Sequence, residues 1–137
     1  MQLTTLLPLA LSALGLANAA ALEKPANWTA TGWNVECSPG GCIYEFNITG
    51  AKTDNTPAFS THCEGISPNA TVCDLKNITA RVKPVVNPIW NVAVQHKWSI
   101  PEPQYNSQSD YWQSGSVNVT ETAKSFTIVP KSLYGVA

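Results

Sequence analysis

An alternation of apolar and polar residues with a period of two runs through most of this chain and restricts it to β-structure. It is clearest from Cys42 to Thr49, from Ile78 to Lys83 and from Trp90 to Trp98. A period of two places alternate side chains on opposite faces of a strand, one face buried and one exposed to water. Two shorter strands are predicted at Ser116 to Glu121 and at Ser125 to Val129.

Turn residues separate these predicted strands. Ser38-Pro39-Gly40-Gly41, Ser67-Pro68-Asn69 and Asn87-Pro88 are typical turns. The stretch from Pro101 to Gly115 is rich in Asn, Ser and Gln and is predicted to be a loop. No long window has the 3.6-residue period of a helix. The pattern therefore predicts an all-β protein, a single antiparallel β-barrel or sandwich.

The N-terminal segment predicts secretion. An apolar run from Leu6 to Leu16 is followed by Ala17-Asn18-Ala19, a small-x-small cleavage pattern. The run is shorter than the roughly 20 residues that span a bilayer. We therefore expect a signal peptide at residues 1–19, and a single secreted, extracellular β-domain without a membrane anchor at residues 20–137.

Four cysteines, Cys37, Cys42, Cys63 and Cys73, form an even set, which in a secreted chain predicts two disulfides. Each typically contributes about 2–4 kcal/mol. The spacings lack the paired C-x2-C knuckles of a zinc site, so no metal is expected. Three connectivities are open. We favour sequential pairing, whereas a hairpin that joins Cys42–Thr49 to Phe59–Cys63 would bring Cys42 near Cys63.

Five Asn-x-Ser/Thr sequons follow the predicted signal peptide, and each is a candidate glycosylation site in a secreted protein. Asn47 and Asn77 fall on the polar side of predicted strands, and Asn118 lies between two valines in an outward position. The glycosylation pattern and the strand pattern therefore agree. The five are Asn27, Asn47, Asn69, Asn77 and Asn118.

The charges of the chain nearly cancel, with eight Lys and Arg against nine Asp and Glu and a formal net charge of −1. Proteins that bind nucleic acid or anionic lipid usually show a basic excess. The sum therefore predicts no polyanion partner, neither nucleic acid nor a membrane.

The candidate catalytic residues are few. His62, Glu64, Arg81 and His96 are the residue types that small secreted guanyl-type ribonucleases use, which makes such a hydrolase one alternative. His96, however, shares an apolar strand face with Val94 and Trp98, which is typical of a core residue. Glu102 and Asp110 lie in the polar stretch, where carboxylates are usually solvated and not a glycosidase pair. We therefore predict no enzyme activity and no cofactor.

Three aromatic residues, Tyr105, Tyr111 and Trp112, lie in the same polar stretch and form the candidate binding surface. Aromatic rings among amide side chains stack on sugars or anchor a protein interface, because they offer a large contact area at little cost in entropy. A sugar-binding, lectin-like module is therefore a second alternative. The competing interpretation is a loop that these rings fold back over the core. Trp28, Trp33, Trp90 and Trp98 are expected to be core or cap residues.

The order of these features resembles small secreted fungal proteins. A Trp-containing first strand precedes Cys37-Ser-Pro-Gly-Gly-Cys42-Ile-Tyr-Glu-Phe-Asn-Ile-Thr-Gly50, then Thr61-His-Cys63-Glu-Gly65, Cys73 and a late Phe126-Thr-Ile-Val-Pro130 strand. Together they are similar to the Alternaria major-allergen-like β-barrel family.

That resemblance implies a compact antiparallel β-fold with two intrachain disulfides, secreted by a fungus. It also implies a noncatalytic effector-like or allergen-like protein, active in virulence, that binds a host protein or a cell-wall component such as a polysaccharide. The family archetype dimerises through an additional cysteine, which this chain lacks. We therefore expect a monomer or a noncovalent dimer.

Overall fold

The computed structural model describes residues 26–54, 56–131 and 134–136, and the signal peptide predicted at residues 1–19 lies outside them. Within these residues the chain forms nine strands and no α-helix, so no helix has the length and apolarity to cross a bilayer. The elements are β1 (Trp28–Ser38), β2 (Gly41–Gly50), β3 (Phe59–Ser67), β4 (Ala70–Val72), β5 (Ile78–Val86), β6 (Ile89–Glu102), a 3-10 turn (Pro103–Tyr105), β7 (Ser107–Thr120), β8 (Ser125–Ile128) and β9 (Tyr134–Val136).

The strands form two antiparallel sheets. A four-stranded sheet has the order β3-β2-β1-β8, and a five-stranded sheet has the order β4-β5-β6-β7-β9. The all-β class is confirmed, and of the two architectures expected the sandwich is the one observed. The longest pair is the β6–β7 hairpin, which pairs continuously from Ile89 opposite Thr120 to Glu102 opposite Ser107.

The core lies between the two sheets and consists of the alternate, inward side chains of each strand. In β2 these are Tyr44, Phe46 and Ile48, and in β6 they include Val92 and Val94, all of them buried. Each large apolar side chain contributes about 1.5–3 kcal/mol when it leaves water. The four tryptophans expected in the core are between 2% and 9% exposed, which confirms that prediction.

Both disulfides follow the sequential pairing. Cys37 is bonded to Cys42, directly opposite it at the tip of the β1–β2 hairpin, and Cys63 is bonded to Cys73. The alternative that paired Cys42 with Cys63 is wrong, because Cys42 lies opposite Ser67 in the β2–β3 register. One disulfide closes an exposed hairpin, and the other joins β3 to the segment that follows β4.

The prediction of a loop from Pro101 to Gly115 is wrong except at residues 103–106, because β6 extends to Glu102 and β7 begins at Ser107. The physical reason is the polarity of its inward side. Ser109 and Gln113 are buried, and Gln113 lies opposite the buried His96 of β6. Because polar residues occupy inward and outward positions alike, composition conceals the period of two.

Candidate functional site

The two histidines proposed for a ribonuclease site lie in different environments. The ring of His96 is fully buried between Phe59 and Trp98, with centroid distances of 4.6 and 4.7 Å. Burial lowers the pKa of His96 from 6.5 to about 4. His62 lies on the outer side of β3, where its Nδ1 is 2.9 Å from Oδ1 of Asn47 and its Nε2 is 3.8 Å from Oε2 of Glu64.

The remaining carboxylates and the arginine do not complete a catalytic set. Arg81 lies on the outer side of β5, in the other sheet from His62, and its Nε donates to the carbonyl of Pro68 at 3.0 Å. Asp110 accepts a hydrogen bond from Oγ of Ser99 at 2.6 Å. Across the described residues no three potential metal ligands cluster. The structure therefore does not bring the four ribonuclease candidates together.

The structure separates Tyr105 from the other two predicted binding aromatics, because Tyr111 and Trp112 both line one depression although their side chains leave opposite sides of β7. Tyr105 lies in the 3-10 turn at the tip of the long hairpin and is 74% exposed. Tyr111 is on the inward side of β7, stacked on Trp98 at a centroid distance of 5.9 Å and an interplanar angle of 17°. Trp112 is the next residue of the strand and therefore lies on the outward side. Trp112 is the one that faces outward from the five-stranded sheet.

The outward side of β5, β6 and β7, with Trp112 near one end, is termed here the Trp112 face. Two adjoining depressions, of about 410 and 770 Å³, occupy it. Thr79, Arg81, Gln95, Ser114 and Lys131 are among the residues that line the first depression, and Lys97, Ser99, Asp110 and Trp112 are among those that line the second.

The strand register orders these side chains into rows across the face. Lys97 lies directly opposite Trp112, and in the next row Gln95 lies between Ser114 and Thr79. A third row carries Arg81. Successive rows are about 6.7 Å apart along the strands. The face therefore presents an aromatic ring, then amide and hydroxyl groups, then a guanidinium group, all on strands that fix their spacing.

Such an arrangement is suited to binding. An aromatic ring provides a flat apolar platform, while amides, hydroxyls and cations donate hydrogen bonds at its edge. The sequence identified Trp112 as a candidate but missed Lys97 and Gln95. The sequence shows which alternate residues of β6 are polar, but it does not show the strand register that places Lys97 beside Trp112.

The side chains of all five sequon asparagines are exposed. Asn77 lines the same depression as Trp112, and its carbonyl accepts a hydrogen bond from the backbone N–H of Lys97 at 2.9 Å. Asn118 lies at the opposite end of the Trp112 face, where its Oδ1 accepts a hydrogen bond from Asn91 at 3.0 Å. A glycan on Asn77 would therefore stand at the rim of the candidate site.

The outward side of the four-stranded sheet has a different chemistry and is termed here the acidic face. Glu36, Glu45 and Glu64 lie on it around an exposed cross-strand pair, Ile43 and Ile66, each 56% exposed. These residues line a depression of about 300 Å³.

Comparison of the chain with protein-family models, with curated proteins and with solved structures finds no match.

Proposed function

We propose that this protein is a secreted, noncatalytic binding protein that holds a cell-wall polysaccharide on its Trp112 face. The observation that carries the proposal is the position of Trp112 on the outward side of β7, directly opposite Lys97 and one row from Gln95 and Ser114. Secretion and glycosylation belong to the same proposal. They are supported by the two disulfides and by five exposed sequons.

The physical basis is the two-sided character of a pyranose ring. Its C–H groups stack on an aromatic face, while its hydroxyl groups exchange hydrogen bonds with amides and hydroxyls at the edge of that ring. Trp112 provides the first kind of contact, and Gln95 and Ser114 provide the second. Because all three are on paired strands, little conformational entropy is lost when a ligand binds.

A polysaccharide suits this face better than a protein partner does. The central anchors of protein interfaces are usually surrounded by other apolar side chains that exclude water. Across the β6–β7 pair and along β7, the neighbours of Trp112 on its face are instead polar or charged, namely Lys97, Ser99, Asp110 and Ser114. An effector-like or allergen-like role would follow from attachment to the wall.

The test is retention of the purified secreted protein on insoluble polysaccharides, namely cellulose, chitin, β-glucan and pectin. We expect the protein to be retained on at least one of them and Trp112→Ala to bind about tenfold more weakly, the effect of losing about 1.4 kcal/mol of stacking and contact energy. Tyr105→Ala is the matched control, because it removes an exposed ring from the hairpin tip.

Two results would count against the proposal. One is the absence of binding to every polysaccharide. The other is Trp112→Ala binding as well as the unmodified protein while its melting temperature shows that it is folded. Retention lost in Tyr105→Ala while Trp112→Ala still binds would move the site to the hairpin tip.

A further inference from the structure

The charged side chains that project outward from the strands divide between the two faces of the protein. The four strands of the four-stranded sheet contain no Lys or Arg. Their acidic residues are Glu36, Glu45 and Glu64, all on the acidic face, and Glu45 lies directly opposite Glu64. Like charges in opposed positions are unfavourable. The negative charge of this face is thus concentrated rather than dispersed.

The Trp112 face has the opposite sign. Arg81 and Lys83 project outward from β5, Lys97 projects outward from β6, and Lys131 follows β8 and lines the same depression as Arg81. Among the described side chains on this face, Asp110 is the acidic one. The net charge of the whole chain, −1, predicted no polyanion partner, but that sum combines two faces of opposite charge.

From this division we infer that the ligand of the Trp112 face is an acidic polysaccharide whose sugars carry carboxylates, that is, a polyuronate. The inference rests on the proposed function and specifies its ligand class. A sugar stacked on Trp112 would place its edge beside the ammonium group of Lys97, which lies directly across the strand pair. Arg81 lies two rows further on, about 13 Å along the strands, within reach of a later sugar of the same chain.

The position of Asp110 gives the site a direction. It lies one row beyond Trp112, on the side away from Arg81, and is held by the hydroxyl of Ser99. A ligand carboxylate would be repelled at that end and attracted at the other. The acidic polysaccharide would therefore extend from Trp112 towards Arg81 and Lys131, across the row that contains Gln95.

A polyuronate fits this face better than a nucleic acid does. The four basic side chains are spread over two strands and the C-terminal segment, and the row between Arg81 and Lys97 consists of Thr79, Gln95 and Ser114. Such short amide and hydroxyl groups match ring hydroxyls. Tracks that bind single-stranded nucleic acid use several stacking aromatics along a continuous basic groove.

The test compares two probes with the same backbone, polygalacturonate and its methyl-esterified form, in which the carboxylates are neutral. We expect polygalacturonate to bind at least tenfold more tightly at low ionic strength. The difference should shrink at about 0.15 M salt, where the screening length is about 8 Å. The neutral probe should show little dependence on salt. Isothermal titration calorimetry measures both affinities.

Charge-neutralising variants locate the effect. Lys97→Gln and Arg81→Gln should each weaken polygalacturonate binding about two- to fivefold, as expected for exposed ion pairs, and leave the esterified probe unchanged. Lys124→Gln is the matched control, because it removes the same charge from the loop between β7 and β8 and should change neither affinity.

The outcomes separate this inference from the proposed function. Equal affinity for both probes would overturn the preference for acidic sugars and leave polysaccharide binding intact. If the protein bound neither probe and no other wall polysaccharide, both this inference and the proposed function would be overturned. Competition by polyuridylate as effective as that by polygalacturonate would also overturn the inference, since the face would then select charge without regard to sugar. An effect of Lys124→Gln equal to that of Lys97→Gln would show that the polysaccharide is attracted to the charge of the whole molecule instead of to this site.

Discussion

Acid should destabilise this protein through one residue, His96. Its imidazole is fully buried beside Phe59 and Trp98, and neither ring nitrogen has a hydrogen-bond partner. The folded protein therefore holds the neutral ring, and its pKa is lowered from 6.5 to about 4. Unfolding exposes the ring to water, where it takes up a proton below pH 6.5.

The sign and the size of the effect follow from this difference. Because the unfolded chain binds the proton more tightly, the contribution of the neutral ring is present above pH 6.5 and is lost as the pH falls towards 4. The free energy of unfolding falls by at most about 1.4 kcal/mol per pH unit in this range, and by about 3 kcal/mol in all. That is a large fraction of a total stability of about 5–15 kcal/mol.

The assay is urea denaturation at neutral pH and at pH values down to the folded-state pKa of His96. His96→Leu removes the titrating ring and also two unpaired nitrogens, so we expect it to fold and to lose about 3 kcal/mol less than the unmodified protein on acidification. His62→Gln is the control, because it removes the only other histidine, which is half-buried on the outer side of β3.

The three proteins share all their other residues, so the comparison between variants isolates His96. The same loss of stability in His96→Leu and in the unmodified protein would refute the reasoning. NMR titration provides a second measurement that does not depend on the variant. The chain has two histidines, and one ring that titrates near 6.5 in the folded state after His62→Gln would likewise contradict burial of a neutral His96.

Three further predictions concern other parts of the fold. A mild reductant should open the exposed Cys37–Cys42 disulfide before the buried Cys63–Cys73 disulfide, and mass spectrometry of alkylated protein would reveal the reverse order. Gly115→Ala should lower the melting temperature, since its new Cβ would lie 2.7 Å from Ile128 and 2.9 Å from the backbone of Pro130, whereas Gly40→Ala meets nothing closer than 3.9 Å and should not. Asn77→Gln should strengthen polysaccharide binding by protein made in a glycosylating host, and unchanged affinity would show that a glycan there leaves the site open.

The strands that sequence predicted well are those whose inward residues are apolar. β2, β5 and β6 were recognised because their alternate residues are aliphatic or aromatic. The first half of β7 was missed because its inward residues include Ser109 and Gln113, which are buried against the end of β6 that carries His96. A polar interior gives the same composition as a loop.

The candidate site was accessible to sequence analysis only in part. Trp112 was identified by its residue type, but it was grouped with Tyr111, which the strand pleat turns to the other face. The pairing of Trp112 with Lys97 depends on the register between β6 and β7. The order of the strands within each sheet depends on pairs that are distant in sequence, such as β1 with β8. The charge sum likewise conceals which residues share a face.

The separation of charge between the two sheets would orient the protein when several copies bind to one charged surface. Because one side of the molecule is basic and the other acidic, it has an electric dipole directed from one sheet to the other. On a layer of fixed negative charge, the copies would bind in the same orientation, with the five-stranded sheet against the layer. The outermost surface of such a coat would be a repeating array of Ile43 and Ile66 surrounded by glutamates. Whatever approached the coated layer would then meet that array in place of the original surface.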